Sequence, residues 1–467
     1  MRISTPTETY RVPGTGLFIN SETQVLDLEA EHDENLTVLD GDNEGHHDHQ
    51  QHHKKSISLS PDTLTDTLRQ TVIVVPCKNE ELEVIRGVLS GIPPACIIIL
   101  VSNSRRTASD DHYAKEVAML RDFCRQGSFI HTTKTPTARK ALAIHQGDPG
   151  AASAFRAMGM PQLSDEDANK IYDGKGEGML LGIALAAMFC RDPRLMEDGV
   201  PRRYIGFVDA DNFVPGSVHE YCRVFAAGFA MYPSKKNVMV RIHWPSKPKV
   251  RNGQMICEPE GRSSRVVNMW LNRLLAAISP PSSRPSNDRI VVTGNAGEHA
   301  MTMDLAVKMV TAGGYAIEPF HFIHLLNQLA TSIPDTRDST VSSRLDPTWI
   351  LQIRTRNPHV HRQTGEGHIR HLWTQALGTI YHGFPTLWPA DSGPGQNNTQ
   401  EPPVPRLYPA MADMDLDKLR TLMLQQARTL VGYGPWASIH LKTATATATP
   451  TTVITNAINT ATATISA

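Results

Sequence analysis

Short apolar runs alternate with amphipathic segments in the first half of the chain, and this alternation constrains the fold more than any other feature. Three runs are too short for buried helices and predict buried strands, at 71–80, 95–104 and 203–212. Three longer segments have the apolar spacing of helices, at 81–92, 111–127 and 177–192. Strands and helices that alternate in this way form a parallel sheet covered by helices. The sequence therefore predicts an α/β fold with a Rossmann-like, mostly parallel sheet.

The two ends of the chain differ from this body in composition. Residues 1–55 carry 11 acidic and 4 basic side chains and finish in the His-rich run 46–55, HHDHQQHHKK. A segment so polar buries too little apolar surface to fold alone, so we expect a disordered acidic arm over 1–60. Metal binding by its histidines is the alternative. The Thr/Ala-rich residues 441–467 predict a disordered tail.

Two units are expected between these ends. Residues 61–320 contain the alternating pattern and predict the α/β domain. Strands are hard to find over 321–440, whereas 368–384 and 413–434 have helical spacing. We therefore expect a mainly helical region that packs against the α/β domain and completes its site.

Composition and missing motifs exclude several classes of protein. The chain has 46 Lys and Arg against 47 Asp and Glu, which argues against a broadly basic nucleic-acid binder. Its six cysteines form no CxxC pair, so a zinc ribbon or a disulfide scaffold is not expected. No apolar run approaches the roughly 20 residues of a membrane span, and the N-terminus lacks a secretory signal. We expect a cytoplasmic enzyme that binds neither nucleic acid nor membrane.

The strongest local signal is an acidic pair, Asp209 and Asp211, directly after the predicted strand at 203–212. Ligands of such sheets bind beyond the carboxyl ends of the strands. Two carboxylates two positions apart can point at one Mg²⁺ or Mn²⁺ ion, which would neutralise a diphosphate leaving group. The alternative is an ordinary strand-to-loop junction in which one aspartate caps a helix.

Two further segments offer groups for a phosphorylated ligand. The run 174–178, GKGEG, places Lys175 at the start of a predicted helix, and helix N-termini favour anions. It has neither the Walker spacing nor the dinucleotide fingerprint. The run 76–80, PCKNE, offers the amide, ammonium and carboxylate groups that a nucleoside needs. The alternatives are a flexible glycine turn and simple helix capping.

Histidines, arginines and small residues mark three more segments. In 356–362, RNPHVHR, two histidines lie two positions apart, and one could complete the coordination of a metal at the acidic pair. The segments 261–265 and 293–299 combine Arg, Ser, Gly and Asn near predicted turns or helix starts, which suits a phosphate or carboxylate. Caps and turns are the alternative for both.

Seven segments taken together resemble the mannosyl-3-phosphoglycerate synthases, at 74–80, 174–179, 207–212, 261–272, 292–301, 313–319 and 356–362. The resemblance extends from about residue 70 to about residue 385. It implies a retaining nucleotide-sugar glycosyltransferase of GT-A fold. Such an enzyme transfers mannose from GDP-mannose to 3-phosphoglycerate and gives mannosyl-3-phosphoglycerate and GDP, a step of mannosylglycerate biosynthesis. Enzymes of this kind are often dimers, so a homodimer is expected on this ground alone.

The resemblance also implies roles for individual residues. The implied catalytic residues are Asp209, Asp211 and Lys175. The implied nucleotide-sugar site contains Pro76, Lys78, Asn79, Glu80, Lys175, Asp209, Ala210 and Arg356. The implied acceptor site contains Arg262, Ser264, Gly294, Asn295 and Ala296. The implied ligands of Mg²⁺ or Mn²⁺ are Asp211 and one of His359 and His361, a choice that the sequence leaves open.

Two other functions stay open at this point. The same fold could use a glucose nucleotide and make glucosyl-3-phosphoglycerate, because donor choice depends on the shape of the pocket. The chain could also be a catalytically inactive nucleotide-sugar sensor that binds a partner through its ends. For an active enzyme we expect front-face attack, since no residue is recognisable as a carboxylate nucleophile of a double displacement.

Overall fold

The protein is described by a computed structural model over residues 1–29, 56–126, 139–193, 196, 198–212, 214–251, 254–281, 289–330, 346–360, 365–388, 393–394 and 401–439. The strands in these ranges are β1 (Arg2–Ser4), β2 (Thr9–Arg11), β3 (Leu17–Asn20), β4 (Thr23–Asp27), β5 (Ser56–Ser58), β6 (Thr71–Cys77), β7 (Ile97–Ser102), β8 (Ala141–His145), β9 (Ser164–Asp165), β10 (Lys170–Ile171), β11 (Tyr204–Phe207), β12 (Asn237–His243), β13 (Lys247–Arg251), β14 (Gln254–Glu258), β15 (His299–Thr302), β16 (Thr311–Ala312), β17 (Thr348–Arg354), β18 (Leu407–Tyr408) and β19 (Val431–Tyr433). The α-helices are α1 (Pro61–Arg69), α2 (Leu82–Gly91), α3 (His112–Gln126), α4 (Pro149–Ala157), α5 (Lys175–Cys190), α6 (Pro215–Met231), α7 (Arg262–Ile278), α8 (Met303–Lys308), α9 (Ile317–Ala330), α10 (Glu366–Gly383) and α11 (Leu416–Gln426).

One large mixed sheet runs through the molecule in the order β19-β8-β7-β6-β11-β15-β12-β17-β4-β1-β5. Its centre, β8-β7-β6-β11, is parallel, and Val74 of β6 is in register with Ile99 of β7 and Phe207 of β11. Strand β15 then runs antiparallel to β11 and β12, and β12 pairs in parallel with β17. The predicted α/β fold is confirmed, with more antiparallel pairs than expected.

The apolar runs form strands because both faces of the central sheet are covered. Strands β6 and β7 are buried along almost their whole length, as parallel strands between two helical layers must be. Helix α5 lies on one face, where a Cβ added at Gly182 would come within 2.5 Å of Val74 Cγ1. Glycine at this position lets the helix lie directly on β6. This packing places the start of α5 beside the carboxyl end of β6.

The predicted disordered arm over 1–60 is wrong for residues 1–29 and 56–60. Strands β1 to β5 extend the sheet at its β17 edge, where Leu17 is in register with Thr348. Ile3 and Ile19 are fully buried. Most of the acidic residues of 1–55 lie after residue 28, so the net charge of the whole segment does not describe the strands that precede this residue. Residues 30–55, with the His-rich run, lie outside the described residues.

Most of the secondary structure described over 321–440 is helical, as predicted, but three unexpected strands, β17, β18 and β19, also lie there. Strand β17 lies inside the sheet, between β12 and β4, and β19 forms the edge of the sheet beside β8. Because β19 occupies part of 413–434, the helix expected there ends at Gln426. The boundary at 320/321 also falls inside α9. Gln352 interrupts the apolar pattern of β17, but its buried amide group bonds to the Asn20 and Ile290 carbonyls. The predicted tail at 441–467 lies outside the described residues.

Strands β13 and β14 form a hairpin beside the sheet, and α9 and α10 pack against each other and against the turn 314–316, which also contacts α5. Among the helices of the described ranges, none has the length and apolar character needed to cross a membrane.

Candidate functional site

A cleft of about 830 Å³ opens at the carboxyl ends of β6, β7 and β11, the edge where α/β sheets bind ligands. The start of α5, the β13–β14 hairpin and α10 form its walls. Ten of the predicted site residues line it: Pro76, Lys78, Glu80, Lys175, Asp209, Ala210, Asp211, Arg262, Asn295 and His359.

Lys175 supplies a fixed positive charge at the base of the cleft. It is the first residue of α5, and its ammonium group lies 2.7 Å from Asp209 Oδ1 and 2.8 Å from Glu318 Oε1. The side chain is only 14% exposed. Burial alone would lower the pKa of Lys175, but the Asp209 and Glu318 carboxylates outweigh it and hold this pKa well above its ordinary value. The lysine is therefore charged at any pH at which the protein functions.

The glycines around Lys175 serve packing against the protein's own backbone. A Cβ added at Gly176 would come within 1.9 Å of the Ala312 carbonyl oxygen. Glu177 accepts hydrogen bonds from the Gly314 N–H at 2.9 Å and from the Tyr408 hydroxyl at 2.6 Å. These contacts fix the start of α5 to the loop before α9, so the position of Lys175 is rigid.

Two carboxylates lie near the fixed charge: Asp211, which is half-buried and lines the cleft, and Glu298, which is fully buried beside His359. Burial, together with the charges of Asp209 and Glu80, raises the pKa of Asp211 to about 7. Burial and Asp209 likewise raise the pKa of Glu298 to about 8. Because the charge of Asp209 acts on both carboxylates and that of Asp211 acts on Glu298, this crowded group would gain from a cation.

Only one of the two carboxylate oxygens of Glu298 has a hydrogen-bond partner among the described residues. Its Oε1 accepts a hydrogen bond from Asn212 Nδ2 at 2.9 Å and lies 3.9 Å from His359 Nδ1. Its Oε2 is buried and has no hydrogen-bond partner among the described residues. A buried carboxylate oxygen left in this way is suited to an additional ligand.

His359 is held in place by neighbours on several elements. Its ring stacks on Trp244 with 4.3 Å between ring centroids, and the Tyr221 hydroxyl lies 3.5 Å from its Nδ1. Glu220 accepts hydrogen bonds from the backbone N–H groups of Arg356 and Asn357, which fixes the loop before the histidine. His361, the other candidate metal ligand, lies outside the described residues.

Arg356 does not reach the cleft, so the prediction that it binds the nucleotide sugar is corrected. Its guanidinium group donates a hydrogen bond to the Leu26 carbonyl at 2.7 Å. This contact joins the loop after β17 to the N-terminal strands, and the residue has a structural role.

On the nucleotide side, Pro76, Lys78 and Glu80 line the cleft as expected, but Asn79 does not. Asn79 has a positive φ of 58°. Its N–H donates to Ser104 Oγ at 2.7 Å, and its Oδ1 accepts from the Arg105 N–H at 2.8 Å. The prediction that the Asn79 side chain binds the nucleotide is corrected: its hydrogen bonds link the loop after β6 to the loop after β7.

On the acceptor side, Arg262 and Asn295 line the cleft, whereas Ser264, Gly294 and Ala296 lie behind it. Ser264 and Ala296 face a small cavity that also touches Asn295. Gly294 is buried against α7, where an added Cβ would come within 2.5 Å of Leu271 Cδ1. Gly294 therefore serves the packing of the loop.

Several cleft residues were not among the predicted site residues, and three of them carry charge beside the predicted ones: Asp173, Lys247 and Glu318. Glu298, which is fully buried 3.9 Å from His359, was not predicted either. Glu298 and Glu318 lie within the segments 292–301 and 313–319 that carried the resemblance, so the signal for them was present. Lys247 starts the β13–β14 hairpin, with its ammonium group 4.2 Å from the centroid of the Trp244 ring. Burial lowers its pKa. Nothing in the spacing of the sequence pointed to Lys247.

Comparison with known proteins gives one family over most of the chain. Residues 14–423 match the family described as mannosyl-3-phosphoglycerate synthase. A mannosyl-3-phosphoglycerate synthase of Pyrococcus furiosus is 40% identical over 330 residues, which cover 70% of this chain and 75% of that protein. One of Aeropyrum pernix is 32% identical over 320 residues, which cover 68% of this chain and 74% of that protein.

Among solved structures, the chain is similar to a glucosyl-3-phosphoglycerate synthase from Mycobacterium tuberculosis in complex with phosphoglyceric acid. The identity is 17% and the TM-score 0.42, and the match covers 74% of this chain and 92% of that one.

Proposed function

Because this chain belongs to the mannosyl-3-phosphoglycerate synthase family, we propose that it transfers mannose from GDP-mannose to 3-phosphoglycerate in the cleft at the carboxyl ends of β6, β7 and β11. The predicted family and enzyme class, a glycosyltransferase, are confirmed by the family match and the two relatives. The identity of the donor nucleotide and the roles of individual residues are our proposal.

One observation carries the proposal: Asp211 and His359 line the same cleft as the fixed charge of Lys175, and the buried Glu298 lies 3.9 Å from His359. A glycosyl transfer from a nucleotide sugar needs stabilisation of the diphosphate that leaves. Fixed positive groups in a partly buried cleft supply that stabilisation better than solvent does, because their charges are less screened. The two carboxylates supply the anionic half of a cation site beside them.

The donor set fits Mg²⁺ or Mn²⁺, our proposed cofactor. No group of three His, Cys, Asp or Glu side chains is already arranged as a metal cage in the parts of the chain that the structure describes. The pKa values of Asp211 and of the buried Glu298 are nevertheless both raised, and Glu298 Oε2 lacks a hydrogen-bond partner among the described residues. We assign the cation to Asp211 and His359, with positions left for phosphate oxygens. When bound, it would stabilise negative charge on the leaving diphosphate.

The other residues would bind and orient the substrates. Lys175 adds its fixed charge on the side of the leaving diphosphate, and Asp209 holds the ammonium group in place. Arg262 and Lys247 present positive charges from the opposite wall, where the phosphate and carboxylate of 3-phosphoglycerate would bind. Glu298 is fully buried beside His359 and would position that histidine.

We propose front-face attack for the chemical step. The bond between the anomeric carbon and the phosphate oxygen breaks, the bond to the acceptor oxygen forms on the same face, and the acceptor proton passes to the departing phosphate oxygen. Retention then needs no carboxylate nucleophile on the protein. Rapid quenching with labelled donor, followed by mass spectrometry, should find no mannosyl ester on any Asp or Glu. Detection of such an ester would refute front-face attack.

A donor panel tests the proposed function. Purified protein is incubated with 3-phosphoglycerate, Mn²⁺ and each of GDP-mannose, GDP-glucose and UDP-glucose, and the released nucleotide is measured. We expect turnover with GDP-mannose, and its loss when EDTA is added or Asp211 is replaced by Asn. Preference for a glucose donor would identify a glucosyl-3-phosphoglycerate synthase, and the absence of turnover with every donor would favour a sensor; either result would overturn the proposal.

The homodimer implied by the family resemblance and the cytoplasmic location expected from the sequence stay predictions. Light scattering on the purified chain would test the first, because a dimer has twice the mass of the single chain.

A further inference from the structure

The part of the cleft beside β7 and β8, away from Asp211, is lined by polar side chains that take no part in the proposed chemical step. They follow β7 and β8 or precede α5: Asn103, Gln146 and Asp173, with Lys78 from the end of β6. In the sheet, β8 is three strands from β11, which leads into Asp211. At about 4.8 Å per strand, this separation is about 14 Å.

This end of the cleft is where the base of the donor would lie. The inference rests on the proposed function, in which the diphosphate lies beside Asp211 and His359. An extended nucleoside diphosphate anchored there reaches across β6 towards β7 and β8. The polar groups at the far end are therefore in a position to read the edge of the nucleobase.

These polar groups mainly accept hydrogen bonds. Gln146 uses its amide N–H₂ group internally, since it donates to the Tyr172 carbonyl at 2.5 Å and to the Gly174 carbonyl at 3.1 Å. Its Oε1 then faces Gly178, where an added Cβ would lie 3.0 Å from it. Asn103 donates its Nδ2 to Asp173 Oδ1. Both N–H groups of Gln146 and one of Asn103 are used inside the protein in this way, so Asp173 is the main acceptor left at this end of the cleft.

Asp173 presents the strongest acceptor of the group. Lys78 Nζ bridges its two oxygens, at 2.9 Å from Oδ1 and 2.6 Å from Oδ2. Both side chains of this ion pair are more than half exposed, at 55% and 60%. An ion pair so exposed contributes little to stability, so another donor can replace the bridge of Lys78 without a large penalty.

Guanine is the base that fits a carboxylate at this place. Its Watson–Crick edge carries two adjacent donors, N1–H and N2–H₂, which match the two oxygens of one carboxylate. Uracil offers a single N3–H flanked by two carbonyl oxygens, and a carboxylate would repel both. Adenine offers an acceptor at N1. We propose that Asp173 is the specificity-determining residue for the nucleobase of the donor, and that its carboxylate accepts hydrogen bonds from guanine N1–H and N2–H₂.

Replacement of the Lys78 bridge by guanine has a second consequence. The released ammonium group is on a flexible side chain at the cleft wall, next to the path of the diphosphate. Lys78 can then pair with a phosphate oxygen. Asp173 would select the base, whereas Lys78 would add affinity for any nucleoside diphosphate.

The test measures equilibrium binding of GDP, IDP and UDP, each with Mn²⁺, by isothermal titration calorimetry. Hypoxanthine, the base of IDP, keeps the N1–H of guanine and lacks the 2-amino group. In the wild-type protein we expect GDP to bind at least about tenfold tighter than IDP, the factor for loss of one hydrogen bond to a charged group. In Asp173→Asn the ratio of the GDP and IDP affinities should fall towards one, while UDP binding should not weaken.

Two further variants serve as controls. Asp167→Asn changes an exposed carboxylate six residues earlier, outside the cleft, and should keep the wild-type ratio. Lys78→Met should weaken GDP and IDP by similar factors and also keep the ratio. Each ratio is measured on one preparation, so partial misfolding of a variant does not alter it.

The possible failures are distinguishable. If the wild-type protein prefers GDP but Asp173→Asn keeps the wild-type ratio, the inference about Asp173 is overturned and the proposed donor stands. If the wild-type protein prefers UDP, both the proposed GDP-mannose donor and this inference are overturned.

Discussion

The Lys175 ammonium group lies 2.7 Å from Asp209 Oδ1, although the two residues lie 34 positions apart at the ends of different elements of the fold. Lys175 begins α5, and Asp209 follows β11. Their contact ties the helix that covers β6 to the loop that carries Asp211. The ion pair is therefore both a structural link and a source of positive charge in the cleft.

Replacement of Lys175 by Met should abolish transfer and also destabilise the protein. The variant leaves Asp209 and Glu318 without their shared cation, and removal of one partner from a buried pair typically costs about 3 kcal/mol. Chemical denaturation and donor turnover measure the two effects. The matched control is Lys170→Met, an exposed lysine that should change neither quantity.

A second substitution separates these two effects of Lys175. Glu318→Gln in the Lys175→Met background removes one unpaired carboxylate and should restore part of the lost stability but no activity. If turnover recovered together with stability, Lys175 would contribute to activity only by stabilising the fold.

The metal-free protein should become less stable as the pH rises from about 5 to about 8. Burial raises the pKa of Glu298 from 4.5 to about 8, so the folded protein keeps a proton that the unfolded chain has already released. The stability that this proton supplies is present at low pH and is lost as the pH rises through the raised pKa. Thermal melts in EDTA across this window measure the slope, and added Mn²⁺ should oppose it at high pH.

The variant Glu298→Gln should make this slope shallower, because the amide does not titrate and still accepts the hydrogen bond from Asn212. Glu166→Gln, on an exposed turn, is the matched control and should leave the slope unchanged. An unaltered slope in Glu298→Gln would assign the pH dependence to other groups.

His359→Ala should weaken Mn²⁺ binding by at least about tenfold, measured by electron paramagnetic resonance of the free ion. The reason is its position against Glu298 in the cleft, where it is 5% exposed. His361→Ala is the matched comparison two residues further on and should bind Mn²⁺ like the wild-type protein. The reverse result would assign the metal to His361.

The part of the fold that could be predicted from sequence is the part built from neighbours in the chain. Strands β6 and β7 and helix α2 between them follow one another within about 30 residues, so their pattern is visible locally. The same holds for the polar residues that end these strands. Lys78, Lys175, Asp209 and Asp211 could be found because each follows an apolar strand or starts a helix.

The rest depends on pairings between distant segments. Strand β3 has four residues and becomes a strand because β17, more than 300 residues later, lies beside it. Glu318 belongs to the site because α9 points its first turn at Lys175. No local pattern contains either relationship. Asn79 and Arg356 show the converse, since polar side chains close to the cleft in sequence bond to backbone groups outside it.

The N-terminal strands should therefore contribute measurably to stability, although their composition suggested disorder. Leu17 is fully buried in β3, and its replacement by Ala should cost about 2–4 kcal/mol, the usual range for a buried leucine. The matched control is Leu424→Ala on α11, where the side chain is 41% exposed and the change should stay within about 0.5 kcal/mol. Urea denaturation of both variants measures the difference.

Because β3 pairs with β17 and the loop after β17 carries His359, Leu17→Ala should also weaken Mn²⁺ binding. Equal stability of the two variants would mean that the first 29 residues fold independently of the sheet.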